Sequence, residues 1–211
     1  MKTRIAAALS FALLAGLSTQ AAAQAVQQDG PWLVRLRATY LDTDNSSSAV
    51  PGVIPANGIT VNSKWIPELD VTYFFTKNIA AELVLTVPQK HDVSIAGVGR
   101  IGTFKHLPPT LLAQWHFDQF GAFKPYVGAG INYTRLSSEN MSALGAPVTL
   151  ENSSWGGALQ IGADYAIDRK WSVNVDVKKL QIRSDVFLAG QQISRVKVDP
   201  WLLSVGVGYR F

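Results

Sequence analysis

The chain has 211 residues, of which 47% are hydrophobic, and it contains no cysteine. The lack of cysteine excludes a disulfide framework and a metal site built from thiolates. The 19 basic and 15 acidic residues give a formal net charge of +4, but the basic residues are scattered, so the charge does not favour nucleic-acid binding.

The first residues have the layout of an export signal. Lys2 and Arg4 form a short positive end, an apolar run covers Ile5–Leu17, and small residues follow. The run is shorter than the roughly twenty residues of a membrane-spanning helix, and the layout is typical of a cleaved secretory signal. We expect residues 1–23 to be the signal, with cleavage after residue 25 as an alternative. Residues 24–211 then form one exported domain, either a periplasmic β domain or an outer-membrane barrel.

Eight segments after the signal alternate between apolar residues and polar or small ones. Side chains alternate across a strand with a period of two, so each segment predicts a strand with one apolar face. The segments are Trp32–Leu41, Trp65–Phe75, Ile79–Val87, Leu107–Phe117, Tyr126–Tyr133, Trp155–Ile167, Trp171–Lys178 and Val198–Phe211.

The connections between these segments alternate in length. Residues 76–78, 118–123 and 168–170 form short turns, whereas long loops rich in Gly, Ser, Asn and Pro are predicted at 42–63, 88–105, 137–153 and 184–197. Aromatic residues stand at both ends of the apolar faces, as they do at the two lipid–water boundaries of a membrane barrel. A soluble β-sandwich requires neither feature. The sequence therefore predicts an all-β fold, an eight-stranded antiparallel transmembrane β-barrel.

Four separated stretches resemble the OmpW family of small outer-membrane barrels: "HLPPTLLAQWHF", "KPYVGAGINYT", "SWGGALQIGADYAIDRKWSVNVDV" and "VDPWLLSVGVGYRF". The resemblance implies a narrow, partly apolar lumen that passes small hydrophobic compounds across the outer membrane, and some members of the family import alkanes. Tyr209 and Phe211 resemble the signal that the barrel-assembly machinery recognises. The partners implied are outer-membrane lipid, small hydrophobic molecules and that machinery.

Nine charged residues are expected inside the barrel, four basic and five acidic. A barrel of eight strands has room only for side chains or one small ligand, and unpaired charges there would be costly. We expect a paired network that acts as a structural plug, as a polar exit for a cargo, or as a proton-linked gate. Its members are Arg35, Arg37, Glu68, Asp70, Glu82, Asp164, Asp176, Lys178 and Arg210, of which Glu68 and Lys178 are expected at other heights.

Apolar residues also occupy inward positions, although a plain water-filled pore has no use for them. They are explained either by ordinary interior packing or by a lumen that passes apolar solutes, and the family resemblance favours the second. The expected lumen-lining residues are Leu33, Ile66, Phe74, Val84, Leu112 and Leu202.

Four prolines mark a possible gap in the barrel wall. Proline cannot donate to a β ladder, and with residues 76–78 as the turn, Pro67 faces Val87, next to Pro88. The following strand brings Pro108 and Pro109 to about the same height. The prolines indicate either the rim where pairing stops or a gap through which an apolar solute passes sideways into lipid.

A channel for small hydrophobic compounds is the function that these features favour. A structural, adhesive or receptor-type barrel is the alternative, followed by a lipid-modifying enzyme. His91, His106 and His116 stand apart from one another, and no nucleophile motif accompanies them. We therefore expect no enzymatic activity, no cofactor and no metal site.

Overall fold

The computed structural model of the chain describes residues 30–43, 46–49, 56–97, 99–139, 142–143, 146–151, 153–188 and 191–211. The predicted export signal lies outside these residues. Among them, no helix has the length and hydropathy needed to cross a membrane. The strands are β1 Trp32–Asp42, β2 Ser46–Ser47, β3 Ile59–Val61, β4 Lys64–Phe74, β5 Ile79–Thr86, β6 Gln89–Ile95, β7 Gly99–Leu107, β8 Thr110–His116, β9 Phe123–Glu139, β10 Ser142–Ala143, β11 Ala146–Leu150, β12 Ser153–Ala166, β13 Trp171–Leu180, β14 Arg183–Leu188, β15 Gln191–Lys197 and β16 Trp201–Arg210.

Eight of these strands close into an antiparallel barrel, which confirms the predicted fold. The cycle runs β1, β4, β5, β8, β9, β12, β13 and β16, and β16 pairs back onto β1. The closing pair extends from Leu33 opposite Arg210 to Asp42 opposite Trp201. Closure gives the backbone groups of β1 and β16 a partner, as a spanning structure in lipid requires.

The outward face of the barrel is covered by exposed apolar side chains. Leu36, Leu159 and Val205 are each more than half exposed, which would be unfavourable in water over so large an area. Aromatic contacts bound this belt at both ends. Trp171 packs on Tyr209 at the short-turn end, and Tyr133 packs on Trp155 at the long-loop end. The belt is therefore the lipid-facing surface, and the long loops point to the cell exterior.

The four long connections, which were predicted as loops, contain strands. That prediction was wrong. Residues 42–63, 88–105, 137–153 and 184–197 contribute to β2, β3, β6, β7, β10, β11, β14 and β15. The period of two continues in them: His91, Val93 and Ile95 are buried, whereas Asp92 between them is exposed. The residues that suggested loops, such as Asn57 and Gly97, instead occupy turn positions with positive φ.

The added strands extend the wall beyond the lipid-facing belt. β3 pairs with β6, and β7 pairs with both β6 and the far end of β9. The other added strands form a separate sheet in the order β10, β11, β14, β15 and β2.

Candidate functional site

A network of buried charges, which we call the plug, fills the middle of the barrel. Arg35 from β1 binds Glu82 of β5 at 2.7 Å and Asp164 of β12 at 2.6 Å. Its Nε also donates to Asp164, so that this pair is bidentate. All three side chains are buried, and together they cross the lumen from one wall to another.

Arg37, one inward position further along β1, lies among four carboxylates. Its guanidinium is 2.8 Å from Asp70 and 3.1 Å from Glu68, and it lies 3.6 Å from Glu82 and 3.7 Å from Asp176. The remaining N–H groups donate to Asn174 and to the Tyr126 hydroxyl. This arginine therefore connects the negative charges of three strands, β4, β5 and β13.

Lys178 completes the plug on the long-loop side. Its ammonium lies 2.7 Å from Glu68 and 2.6 Å from Asp176. Glu68 and Lys178, which were expected at other heights, thus belong to the same network, because a long lysine side chain and a glutamate reach across the layers. The plug holds five carboxylates and three cations, and within the described residues Glu68 Oε2 and Asp70 Oδ1 accept no hydrogen bond.

Arg210, the ninth predicted charge, lies at the short-turn mouth. Its guanidinium stands 4.0 Å from the centre of the Phe74 ring and donates to the Gly30 carbonyl.

Neutral polar side chains form hydrogen bonds that connect the charged residues of the plug. Gln160 donates to Glu82 and Asp176, and the Tyr126 hydroxyl donates to Asp176. Two inward glycines provide the room for these long side chains. A Cβ at Gly162 would lie 2.5 Å from the Tyr126 ring, and one at Gly206 would lie 2.8 Å from Arg37 Cγ. The glycines are therefore required for the plug to fit inside so narrow a barrel.

Five of the six predicted lumen-lining residues fall into two groups on opposite sides of the plug. Val84, Leu112 and Leu202 pack with Ala158, Leu180 and Ile182 on the long-loop side; we call this set the outer apolar cluster. Leu33 and Phe74 pack with Ala80 on the short-turn side; this is the inner apolar cluster. Ile66, also buried, belongs to neither cluster and lies beside Thr39 of β1.

A gap in the β ladder interrupts the wall next to the outer apolar cluster. Pairing between β4 and β5 ends at Glu68 opposite Thr86. It resumes in the same register at Val61 opposite Val93, between β3 and β6. Residues 62–67 and 87–92 lie between these two paired regions. We call the lower part of this gap, where residues 64–67 face residues 87–90, the wall opening.

The predicted prolines stand around the wall opening. Pro67 lies on its β4 side, and Pro88 separates β5 from β6 on the other side. The ladder between β5 and β8 ends at Val84 opposite Thr110, just before Pro108 and Pro109. Ile66 faces the interior at this height, whereas Trp65 and Val87 face outward and are exposed.

The top of the gap is closed by contacts of Asn62. Its side-chain oxygen accepts a hydrogen bond from the Asp92 amide at 2.8 Å, and its carbonyl lies 3.0 Å from His91 Nδ1. Burial lowers the pKa of His91 to about 4, with an added contribution from Lys64 that the Asn62 carbonyl and Asp92 oppose. The imidazole is therefore neutral at pH 7.

Several residues of this site were not singled out in the sequence. Tyr126, Gln160 and Asn174 stand on inward positions of their strands, so the alternation contained the signal, although nothing local distinguished them. Leu180 and Ile182 lie beyond the predicted end of the seventh strand, and an apolar pair two residues apart was the only available sign.

Comparisons with known proteins agree with this architecture. The model of the OmpW family matches residues 28–211. Outer membrane protein W of Escherichia coli (strain K12) is 35% identical in an alignment of 211 positions that covers 96% of this chain and 99% of the relative. A protein of Pseudomonas aeruginosa named dibenzothiophene metabolism operon protein PahQ is 26% identical in an alignment of 195 positions that covers 87% of this chain and 90% of the relative.

A solved structure shows the same barrel. The crystal structure of the outer membrane protein OprG from Pseudomonas aeruginosa aligns with a TM-score of 0.75 at 31% identity, and the alignment covers 89% of this chain and 99% of OprG.

Proposed function

The chain belongs to the OmpW family and lies in the outer membrane, and from this premise we propose that it transfers small apolar solutes from the cell exterior into that membrane. The solute enters on the long-loop side, occupies the outer apolar cluster, and leaves sideways through the wall opening into lipid. The proposal rests on one observation above all: the wall opening lies on the same side of the plug as the outer apolar cluster.

The plug makes passage straight through the barrel unfavourable. Side chains from β1, β4, β5, β9, β12 and β13 meet in it, with ion pairs as short as 2.6 Å. An apolar solute would have to separate these charges, and breaking a buried pair costs about 3–5 kcal/mol. It would gain no interaction in return.

The lower end of the wall opening, where residues 65–67 face residues 87 and 88, gives an apolar route around the plug. Ile66 borders it from inside, and Trp65 and Val87 border it on the lipid side. Regular pairing of β4 with β5 ends at Glu68 opposite Thr86, so a solute passing between residues 64–67 and 87–90 does not cross that ladder. Transfer from an apolar cluster to hydrocarbon also avoids exposure to water.

The name of one relative supports an apolar cargo but does not identify the compound that this chain would carry. The name of PahQ associates it with the metabolism of dibenzothiophene, an apolar aromatic compound. In this chain the outer apolar cluster supplies an interior of the same character, since all six of its buried members are aliphatic.

Uptake by cells with and without the protein tests the proposal. We expect faster uptake of alkanes and of fused aromatic hydrocarbons, and no change for a sugar of similar size. Accelerated entry of the sugar would indicate a polar pore instead. Equal uptake of every compound, together with altered adhesion of the cells, would support the adhesive alternative.

A further inference from the structure

A polar cavity opens on the outer wall of the barrel, away from the lumen and from the wall opening. Its volume is about 210 Å³. It lies between the first residues of β12 and the start of β14, with Arg195 of β15 at its edge.

The cavity exists because β14 diverges from the wall. Regular pairing of β12 and β13 ends at Ala158 opposite Leu180. Beyond it, Arg183 donates its backbone N–H to Ser154 Oγ, and the Ser184 hydroxyl donates to the Glu151 carbonyl at 3.4 Å. β14 then pairs with β11 and β15 instead. Side-chain contacts therefore replace a continuous ladder, and space remains between the strands.

The cavity combines cationic, anionic and hydroxyl groups. The Arg183 side chain is exposed and has no ion pair among the described residues. Arg195 donates to both carboxylate oxygens of Asp185, at 2.6 and 3.1 Å. Ser153, Ser154 and Glu151 also line the cavity. One guanidinium is thus available for an anion, while carboxylates and hydroxyls remain for neutral polar groups.

The height of the cavity places it among lipid head groups. Trp155 lines its lower edge, is 70% exposed, and packs on Tyr133 with ring centres 4.8 Å apart. Such a pair marks the lipid–water boundary of a membrane barrel. On the neighbouring strand the exposed Arg135 is the register partner of Ser153, which adds a second cation beside the cavity.

We propose that this cavity binds the head group of a phosphorylated glycolipid of the outer leaflet. Arg183 and Arg135 bind the phosphate, since a guanidinium matches phosphate oxygens in a bidentate manner. The Trp155 ring lies against a sugar ring. Glu151, the serines and Asp185 bind the sugar hydroxyls.

Glu151 favours a phosphorylated sugar over a simpler anion. Its carboxylate would repel a bare phosphate or a purely anionic head group, whereas the charge of Asp185 is compensated by Arg195. Both carboxylates accept hydrogen bonds from sugar hydroxyls. A ligand with both a phosphate and a sugar therefore satisfies the whole cavity.

Lipid binding by the full chain in phosphatidylcholine nanodiscs tests this proposal. The probes are a disaccharide lipid bearing phosphates, the same lipid without phosphates, and phosphatidylglycerol. We expect the phosphorylated disaccharide lipid to bind about tenfold more tightly than either of the others, because the phosphate adds a charge-assisted bidentate contact and the sugars add hydrogen bonds. Equally tight binding of phosphatidylglycerol would overturn the proposal in favour of general attraction of anionic lipid.

Variants locate the binding. Arg183→Gln should weaken binding of the phosphorylated disaccharide lipid about tenfold, and Trp155→Leu should weaken binding of both disaccharide lipids. The matched control is Lys77→Gln, which removes an exposed cation from a short turn at the other end of the barrel and should leave binding unchanged. If Arg183→Gln does not fold, Arg183→Lys serves the same purpose, because it keeps the charge and loses the bidentate geometry. Binding that is unaffected by the Arg183 variants overturns the proposal.

Discussion

The guanidinium of Arg37 has more ionic partners than the other cations of the plug, with four carboxylates within 3.7 Å. Removing it leaves several buried negative charges without compensation. Removing one carboxylate has a different effect, because the plug contains five carboxylates and three cations. Comparing the two kinds of substitution therefore distinguishes the effect of charge imbalance on stability from the effect of losing one contact.

Arg37→Met should lower the free energy of unfolding by about 3–5 kcal/mol, the range for breaking a buried ion pair. Asp70→Asn should cost clearly less, since Arg37 keeps its other carboxylates and the excess of negative charge decreases. Urea unfolding of the barrel in lipid vesicles measures both values. An equal or larger loss in Asp70→Asn would contradict the assignment of Arg37 as the central cation.

Leu112 and Leu33 test on which side of the plug the solute travels. Both are buried leucines, at 0% and 1% exposure, but Leu112 lies in the outer apolar cluster and Leu33 in the inner one. Leu112→Asn should reduce uptake of apolar solutes about tenfold, because a polar group without a partner raises the barrier by roughly 1–3 kcal/mol. Leu33→Asn should leave uptake unchanged. A similar reduction in both variants would show that the solute passes through the plug.

Contacts between Asn62 and the strand β6 close the top of the ladder gap. Because His91 takes part in them, the stability of these contacts depends on pH. In the folded chain the pKa of His91 is lowered from 6.5 to about 4, so the histidine stays neutral where the opened segment would bind a proton. The stability of the closure is therefore constant above about pH 6.5. It decreases as the pH falls toward 4, by about 3 kcal/mol in total.

Hydrogen exchange of the Asp92 and Val93 amides, corrected for intrinsic exchange rates, measures this effect. Protection should fall between pH 6.5 and pH 4 in the wild-type protein. His91→Gln lacks the titrating group and should show little pH dependence over that range. Persistence of the full effect in His91→Gln would assign it to another group.

The strands also show what could be predicted from sequence and why. The alternation of apolar and polar residues predicted the barrel, and the short turn at residues 76–78 predicted the register of β4 and β5, with Phe75 at Ile79. The partners within the plug could not be predicted. Arg35 and Asp164 are 129 residues apart, and their contact depends on the tilt and stagger of all the strands between them.

The long connections were harder to predict, because their turn residues hide a continuing alternation. Pro88, Pro108 and Pro109 suggested that strands end there, whereas β6 and β7 begin or end beside them and extend the wall. A proline interrupts a ladder at one position without preventing its resumption. The wall opening is the result, with paired strands above and below it.

The whole molecule therefore combines a closed lower half and an interrupted upper half. In the function proposed above, the plug blocks the direct path, the outer apolar cluster receives the solute, and the wall opening connects this cluster with lipid. Each part has a separate cause in the sequence: inward charges, inward aliphatic residues, and prolines at one height. The central claim is that the solute leaves through the wall opening.

A disulfide across the wall opening tests that claim most directly, and the chain has no native cysteine to interfere. The variant is Pro67→Cys with Val87→Cys, because these residues face each other where the ladder is interrupted. The matched control is Leu69→Cys with Leu85→Cys, a pair already joined in the ladder below. Facing positions of a regular antiparallel pair are close enough for a disulfide, and Pro67 and Val87 are the first facing positions beyond the paired Glu68 and Thr86.

We measure uptake of an apolar solute by cells that carry each variant, oxidised and reduced. Oxidation of the pair at 67 and 87 should reduce uptake to the level of cells without the protein, and reduction should restore it. Oxidation of the pair at 69 and 85 should change nothing. Unchanged uptake through the oxidised barrel cross-linked at 67 and 87 would contradict the lateral route.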